Sequence, residues 1–296
     1  MVPGNRVESQ VNSPATTRSL APIGRAPMRI SARNETLSMT GRVRDDRYSQ
    51  TMRLLIDIPR TIITVVAGVV ATIVAVAAIA VIVPFNNTSP LIDRVIRTWS
   101  RVWLAASGTR LEVEGEDNID PGRSYVVVAN HLSALDIMAC LLAVPLPIRF
   151  LAKKELFRVP VLAQGMRMVG IIEVDREARG AIHSEVNRQS RELIENGRSL
   201  IIYAEGTRPR NGVMKPFKKG AFTMAISAGL PVLPMSIHGS YEAWPPGRLM
   251  VRGGLIRVVI DKPVETEGLN GADTGELRDQ VREIIADRVA AMGGKT

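Results

Sequence analysis

"SYVVVANHLSALDIMACLL", residues 124–142, holds an apolar run that stops at Asn130-His131 and a second that begins beside Asp136. The first run is short and rich in valine, which fits a strand inside a sheet; the second, over 136–143, fits a helix. With the strand ending at Asn130 and the helix beginning near Ser133, the chain turns back between His131 and Asp136. Their five-residue spacing then sets a carboxylate of the first helical turn beside the imidazole. An aspartate there can hold one ring nitrogen and stabilise the imidazolium, leaving the other nitrogen to take a proton from an incoming hydroxyl. This is the base-and-orienter half of a catalytic triad without a protein nucleophile. Taken alone, the pair also reads as a helix-capping aspartate near a hydrogen-bonded histidine.

The same texture continues on both sides. Short β-rich runs ("LEVEGE", "SYVVVAN", "IRFLAK", "MVGIIEVD", "SLIIYAEG", "LPVLPMSIHG", "LIRVVIDKPV") alternate with helical stretches at 136–143, 178–196, 220–228 and 274–292. In the last, Leu277, Val281, Ile284, Ile285 and Val289 share one face. Alternation of this kind predicts an α/β sheet covered by helices on both faces, with ligands beyond the strand ends. Asn130-His131 and the run Glu205-Gly206-Thr207-Arg208 both fall at such ends. No GxGxxG, Walker A, GxSxG or HExxH pattern occurs.

Upstream the chain has a different character. Residues 1–50 are rich in Ser, Thr, Pro, Gly and Arg without periodicity, which reads as a disordered basic tail. Residues 61–83, "TIITVVAGVVATIVAVAAIAVIV", carry no charge. As a helix they cover roughly 35 Å, more than the roughly 30 Å hydrocarbon core of a bilayer. After the turn "PFNNTSP", residues 91–108 place Leu91, Ile92, Val95, Trp99, Val102 and Trp103 at helical spacing, with Arg94, Arg97 and Arg101 on another side. That pattern suits an interfacial amphipathic helix with tryptophan anchors, and also a docking helix of the globular domain. Residues 51–107 thus read as membrane-anchoring helices and 108–296 as the functional domain. The arginines before Thr61 favour a cytosolic N-terminus, so one full crossing would place the domain outside, whereas a hairpin dipping into one leaflet, the arrangement expected here, keeps it on the cytoplasmic side of the cell membrane.

A formal charge of +9 and a pI near 10.2 point to anionic partners: a phosphorylated substrate, an anionic membrane surface or nucleic acid. Aromatic residues make up only 4%, too few for base-stacking platforms, so charge alone supports nucleic acid and that reading is set aside. Cys140 is the single cysteine, which excludes an internal disulfide and a cysteine-based metal cluster. Metal ligands do not cluster in the sequence, and no metal or cofactor is expected.

"NHLSALD" resembles the NHxxxxD motif of the glycerolipid acyltransferases, in particular the 1-acylglycerol-3-phosphate (lysophosphatidate) acyltransferases. "RFLAKKELFRVPVLAQGMRMVGIIEVDR" (149–176) resembles that family's second block, "IIYAEGTRPR" (201–210) its third, and "FKKGAFTMAISAGLPVLPMSI" (217–237) the stretch into its fourth. The resemblance covers roughly residues 108–240. It implies a central mixed sheet flanked by helices, preceded by a membrane-associated helical pair. It implies acyl transfer from acyl-CoA or acyl carrier protein to the hydroxyl of a lysophospholipid, yielding phosphatidic acid. His131 would be the general base and Asp136 its partner. Lys153, Asp175, Arg176 and Arg208 would bind the acceptor's phosphate end, with Glu205, Gly206 and Thr207 shaping the same site. Lys154, Arg158 and Arg179 read as solvated surface charges. Two departures leave the acceptor open: Ala204 stands where the family carries proline, and Pro209 where it carries serine. Glycerol 3-phosphate, an amino-acid lipid or a glycolipid are alternative acceptors, and a membrane-anchored scaffold is a non-catalytic alternative.

Overall fold

A computed structural model describes the backbone of residues 32–175 and 181–296, with side chains from Leu54 onward except 176–185 and 187. The elements run α1 (Ala32–Ile82), α2 (Pro90–Ala106), β1 (Thr109–Glu114), β2 (Val126–Ala129), α3 (Leu135–Ala143), β3 (Ile148–Lys153), α4 (Pro160–Met168) and β4 (Ile172–Val174). They continue as α5 (Ala181–Glu195), β5 (Ser199–Tyr203), α6 (Gly220–Ala228), β6 (Val232–His238), α7 (Ser240–Ala243), β7 (Gly254–Ile260) and α8 (Thr274–Ala291). The seven strands form one sheet in the order β1-β7-β6-β2-β5-β3-β4. Every pairing is parallel except β6 with β7, so the sheet is mixed as expected.

The run "VVVA" shows why both faces are covered. Val127 and Ala129 enter one core with Leu135, Met138 and Leu141 of α3 and Leu104 of α2. Val126 and Val128 enter a second core with Phe222 of α6 and Leu277, Val281, Ile285 and Val289 of α8. Side chains alternate along a strand, so a strand buried on both faces is apolar without interruption. The strands β2, β3, β4, β5 and β6 run in one direction, and their C-terminal ends therefore line one edge. His131, Lys153, Asp175, Glu205 and His238 all lie at that edge, at or just beyond their strands.

Some elements differ from the sequence reading. The backbone of α1 is helical from Ala32, inside the stretch read as a disordered tail, while residues 1–31 lie outside the described residues. The stretch 33–58 has no proline and many good helix formers, which outweigh its lack of an apolar stripe. The strand expected over "MVGIIEVD" is shortened to Ile172–Val174, because Met168 still belongs to α4 and Gly170 turns the chain at φ 78°.

Residues 51–296 form one compact unit that includes the apolar half of α1. The Leu54–Ile82 stretch is long and apolar enough to cross a membrane, with a mean hydropathy of 2.9 and only 11% of it buried. Its seam toward α2 consists of Thr64, Gly68 and Thr72. A Cβ at Gly68 would overlap the Trp103 ring, and Trp99 Nε1 donates to Thr72 Oγ1 at 2.9 Å. Both tryptophans therefore pack between α1 and α2, because small residues on α1 make room for them. The rest of α1 exposes Ile62, Ile63, Val66, Val69, Val70 and Ile73. An apolar face of that extent marks association with a membrane.

Candidate active site

Strand β2 ends at Ala129, and Asn130 continues its direction by bonding across to β6. Its Nδ2 donates to the Ile237 carbonyl and its Oδ1 accepts from the Ile237 N–H, both at 2.8 Å. This buried side chain replaces a backbone pair and fixes the exit angle into His131.

Asp136 is fully buried in the first turn of α3. Its Oδ2 accepts from His131 Nδ1 at 2.9 Å, from Leu132 N–H at 2.6 Å and from Ser133 N–H at 2.8 Å. Two backbone donors and the ring nitrogen converge on this one oxygen, which orients the imidazole and leaves its Nε2 outside the Asp136 contact. The expected pairing of His131 with Asp136 is present, and Asp136 also caps the turn that joins them.

Strand β5 supplies the floor. Ala129 pairs with Tyr203 in register, which places the next turn of β5 beside His131. The Tyr203 ring stacks on the imidazole with centroids 3.9 Å apart and planes 12° from parallel. Its hydroxyl lies 3.4 Å from Cys140 Sγ, both groups being buried, and burial raises the tyrosine well above its ordinary range.

Glu205 is almost wholly buried and clamps two loops: Oε1 accepts the His131 N–H at 2.8 Å and Oε2 accepts the Lys215 N–H at 2.9 Å. Burial pushes its carboxyl up to about 7, outweighing the two backbone donors that favour ionisation. The folded protein then holds this proton more tightly than the unfolded chain, whose glutamates titrate near ~4.3. This group's contribution to stability is full below about pH 4.5, declines as pH rises toward 7 and is flat above it. Glu205→Gln abolishes that decline. Urea unfolding at pH 5 and pH 8 checks it: the stability of wild type relative to the variant falls with rising pH, and a relative stability that rises would contradict the assignment.

The remaining expected residues spread along the same edge. Gly206 turns at φ 74°, with the Lys218 side chain packed over it, and Lys215 Nζ donates to Thr207 Oγ1 at 3.0 Å. Arg208 is exposed just beyond, close enough to Tyr203 to affect its proton. Lys153 ends β3, two strands from β2 and so roughly 10 Å away; it is exposed and ion-paired with Glu155 at 3.1 Å. Asp175 follows β4, one strand further, and pairs at 2.5 Å with Lys154, which is half-buried rather than freely solvated. Arg176 lies outside the described residues. Lys215, Lys218 and Tyr203 were not singled out from the sequence, and Asn130 only as the strand end. Lys218 sits in the quoted "FKKGAF", but its place follows from the bond of its N–H to the Ala204 carbonyl at 2.8 Å, a contact no spacing rule indicates. Among the described residues, no three His, Cys, Asp or Glu side chains gather as a metal-ligand set.

The buried His131–Asp136 pair and the basic side chains of Arg208, Lys215 and Lys218 thus gather at the C-terminal ends of parallel strands. A family model described as Acyltransferase matches residues 110–238, which contain all of these groups. The chain is 30% identical over 216 residues to the 1-acyl-sn-glycerol-3-phosphate acyltransferase of Pseudomonas aeruginosa, covering 72% of this chain and 82% of that protein. It is 33% identical over 175 residues to the human 1-acyl-sn-glycerol-3-phosphate acyltransferase alpha, covering 59% of this chain. The chain spans 62% of the length of that human relative. The crystal structure of the 1-acyl-sn-glycerophosphate (LPA) acyltransferase PlsC from Thermotoga maritima matches with a TM-score of 0.71 and 26% identity, over 82% of this chain and 99% of that one. The chain belongs to the 1-acyl-sn-glycerol-3-phosphate acyltransferase family.

Proposed function

We propose that the protein transfers a fatty acyl group from an acyl thioester, acyl-CoA or acyl carrier protein, to the free hydroxyl of 1-acylglycerol 3-phosphate, forming phosphatidic acid. The observation that carries this reading is the His131–Asp136 pair at 2.9 Å, buried at the strand ends within residues 110–238, the range the family model matches. His131 Nε2 takes the hydroxyl proton as the alcohol oxygen attacks the thioester carbonyl. Asp136 holds the imidazolium that forms. The tetrahedral intermediate then collapses, the C–S bond breaks, and the departing thiolate receives the proton from His131. No acyl-enzyme is needed, since the acceptor itself is the nucleophile.

Arg208, Lys215 and Lys218 beside the Gly206-Thr207 turn supply the charge a phosphate dianion requires. Arg208→Ala is expected to raise KM for lysophosphatidate about 10- to 100-fold, the worth of a charge-assisted hydrogen bond, with a smaller change in kcat. Tyr203 acts through His131 as a positioning residue: its face lies against the ring that becomes cationic, a contact worth roughly 0.5–2 kcal/mol. Tyr203→Leu is expected to lower kcat about 3- to 30-fold at nearly constant KM, and Tyr203→Phe to restore it. A loss of the same size in the Phe variant would show that the hydroxyl, not the ring face, matters.

Contacts at both ends of the apolar helix bear on its membrane arrangement. Thr61 Oγ1 accepts from Val251 N–H at 2.9 Å, and Ile79 packs with Val169 and Ile92. These positions are roughly 27 Å apart along α1, nearly the depth of the hydrocarbon core. An upright α1 would place Val251 and Val169, both parts of the globular domain, on opposite sides of that core. The contacts support a helical pair lying in one leaflet; the arginines before Thr61 favour the cytoplasmic one.

The reaction is tested with purified full-length protein and labelled acyl-CoA or acylated carrier protein, offered lysophosphatidate, glycerol 3-phosphate or a monoacylglycerol. Phosphatidate from lysophosphatidate, with the phosphate-free monoacylglycerol inert, is the expected result. Lysophosphatidate inert with both donors, or glycerol 3-phosphate preferred, would overturn the acceptor assignment.

A further inference from the structure

Outside α1, α2 and the turn joining them, the described residues expose four large hydrophobic side chains, and three of them fall within one short stretch. Leu156, Val159 and Val161 are 40%, 48% and 40% exposed, leaving only Leu249 elsewhere. Single exposed apolar residues are ordinary, but a cluster is not. These three lie on the 3-10 turn Lys154–Arg158 and the first turn of α4, which leave the end of β3. Phe157, Ala163 and Met166 point the other way and form a buried cluster, so the element has one face for the protein and one for its surroundings.

The element packs directly against α1. Helix α4 meets α1 so closely that a Cβ on Gly165 would stand 2.6 Å from Val76 Cγ2, and Val169 packs on Ile79 just beyond. Basic groups flank the apolar ones: Arg158 and Arg167 are exposed, and Lys153 precedes the turn. Apolar side chains bordered by arginine and lysine match the acyl boundary and phosphate layer of a phospholipid leaflet.

We infer that the segment 154–168 is a second membrane-contacting element, seating Leu156, Val159 and Val161 in the same leaflet as α1. Its position at the C-terminal end of β3 sets this contact on the active-site edge. A lysophospholipid then passes from the leaflet to the His131 edge without leaving the interface, and Lys153 and Arg158 meet its phosphate on the way. The inference rests on the placement of α1 in the leaflet, which the experiment examines separately.

Cys140 is buried, so an introduced surface cysteine takes a nitroxide label selectively. Val159→Cys, Val70→Cys on the outer face of α1 and Glu283→Cys on α8, which covers the opposite face of the sheet, are each labelled in the full chain. The proteins are reconstituted into phosphatidylcholine–phosphatidylglycerol vesicles, and collisions with oxygen and with a water-soluble nickel chelate are measured. At Val159 the expected nickel accessibility is several-fold below that at Glu283 and close to that at Val70, with oxygen accessibility raised; Val161→Cys repeats the reading. Nickel accessibility at Val159 equal to Glu283, while Val70 is shielded, would overturn this inference alone. Free access at Val70 as well would overturn the placement of α1 on which it depends.

Discussion

Replacing His131 by alanine lowers kcat for phosphatidate formation by about 100- to 10,000-fold, the usual worth of a positioned general base. In the proposed mechanism the loss falls on kcat, because the imidazole would act on the hydroxyl proton in the transition state while the basic groups proposed to hold the phosphate follow β5. The fold survives: His131 is a small part of a large core, and its backbone N–H still reaches Glu205. Circular dichroism of the variant therefore matches wild type. The residual rate reports what binding two substrates side by side contributes without the base.

Asp136 shows the second large effect, with a different signature. Asp136→Ala removes the acceptor of His131 Nδ1 and of two backbone N–H groups, all in a buried turn. Each orphaned donor costs roughly 1–3 kcal/mol, so the variant loses both activity and stability, seen as a lowered urea midpoint. Asp136→Asn keeps an acceptor oxygen and most of the stability, but its neutral amide no longer holds the imidazolium. Its kcat is expected to fall ~100-fold or more with little change in the urea midpoint, in line with the loss of a catalytic aspartate in related base-and-orienter sites. An Asn variant with wild-type kcat would assign Asp136 to capping alone.

How much of this was legible in the sequence depends on the range of the interaction. The His131–Asp136 contact is local, spanning one turn, and the spacing of the two residues already implied it. The seven β-rich runs became the seven strands because valine-rich runs with turn residues between them encode strands directly. Strand order was beyond reach, since nothing in the chain states that β2 lies between β5 and β6. With that order hidden, so were its consequences: Tyr203 against the imidazole, Glu205 bridging His131 and Lys215, and Asn130 bonded to Ile237. Trp99 and Trp103 read as interfacial anchors by residue type, and their packing against the small residues Gly68 and Thr72 of α1 was not legible from that type. The short helix α4 was not read from the sequence, although its first-position proline is a helix-start signal and the turn at Gly170 closes it.

The central claim is that His131 deprotonates the hydroxyl of a lysophosphatidate acceptor. The measurement that meets it most directly is phosphatidate formation from a labelled acyl thioester and lysophosphatidate by wild type and His131→Ala in parallel, at saturating concentrations of both substrates. Phosphatidate from wild type, with the variant at least about 100-fold slower, is the predicted result. A His131→Ala protein that forms phosphatidate as fast as wild type would contradict it.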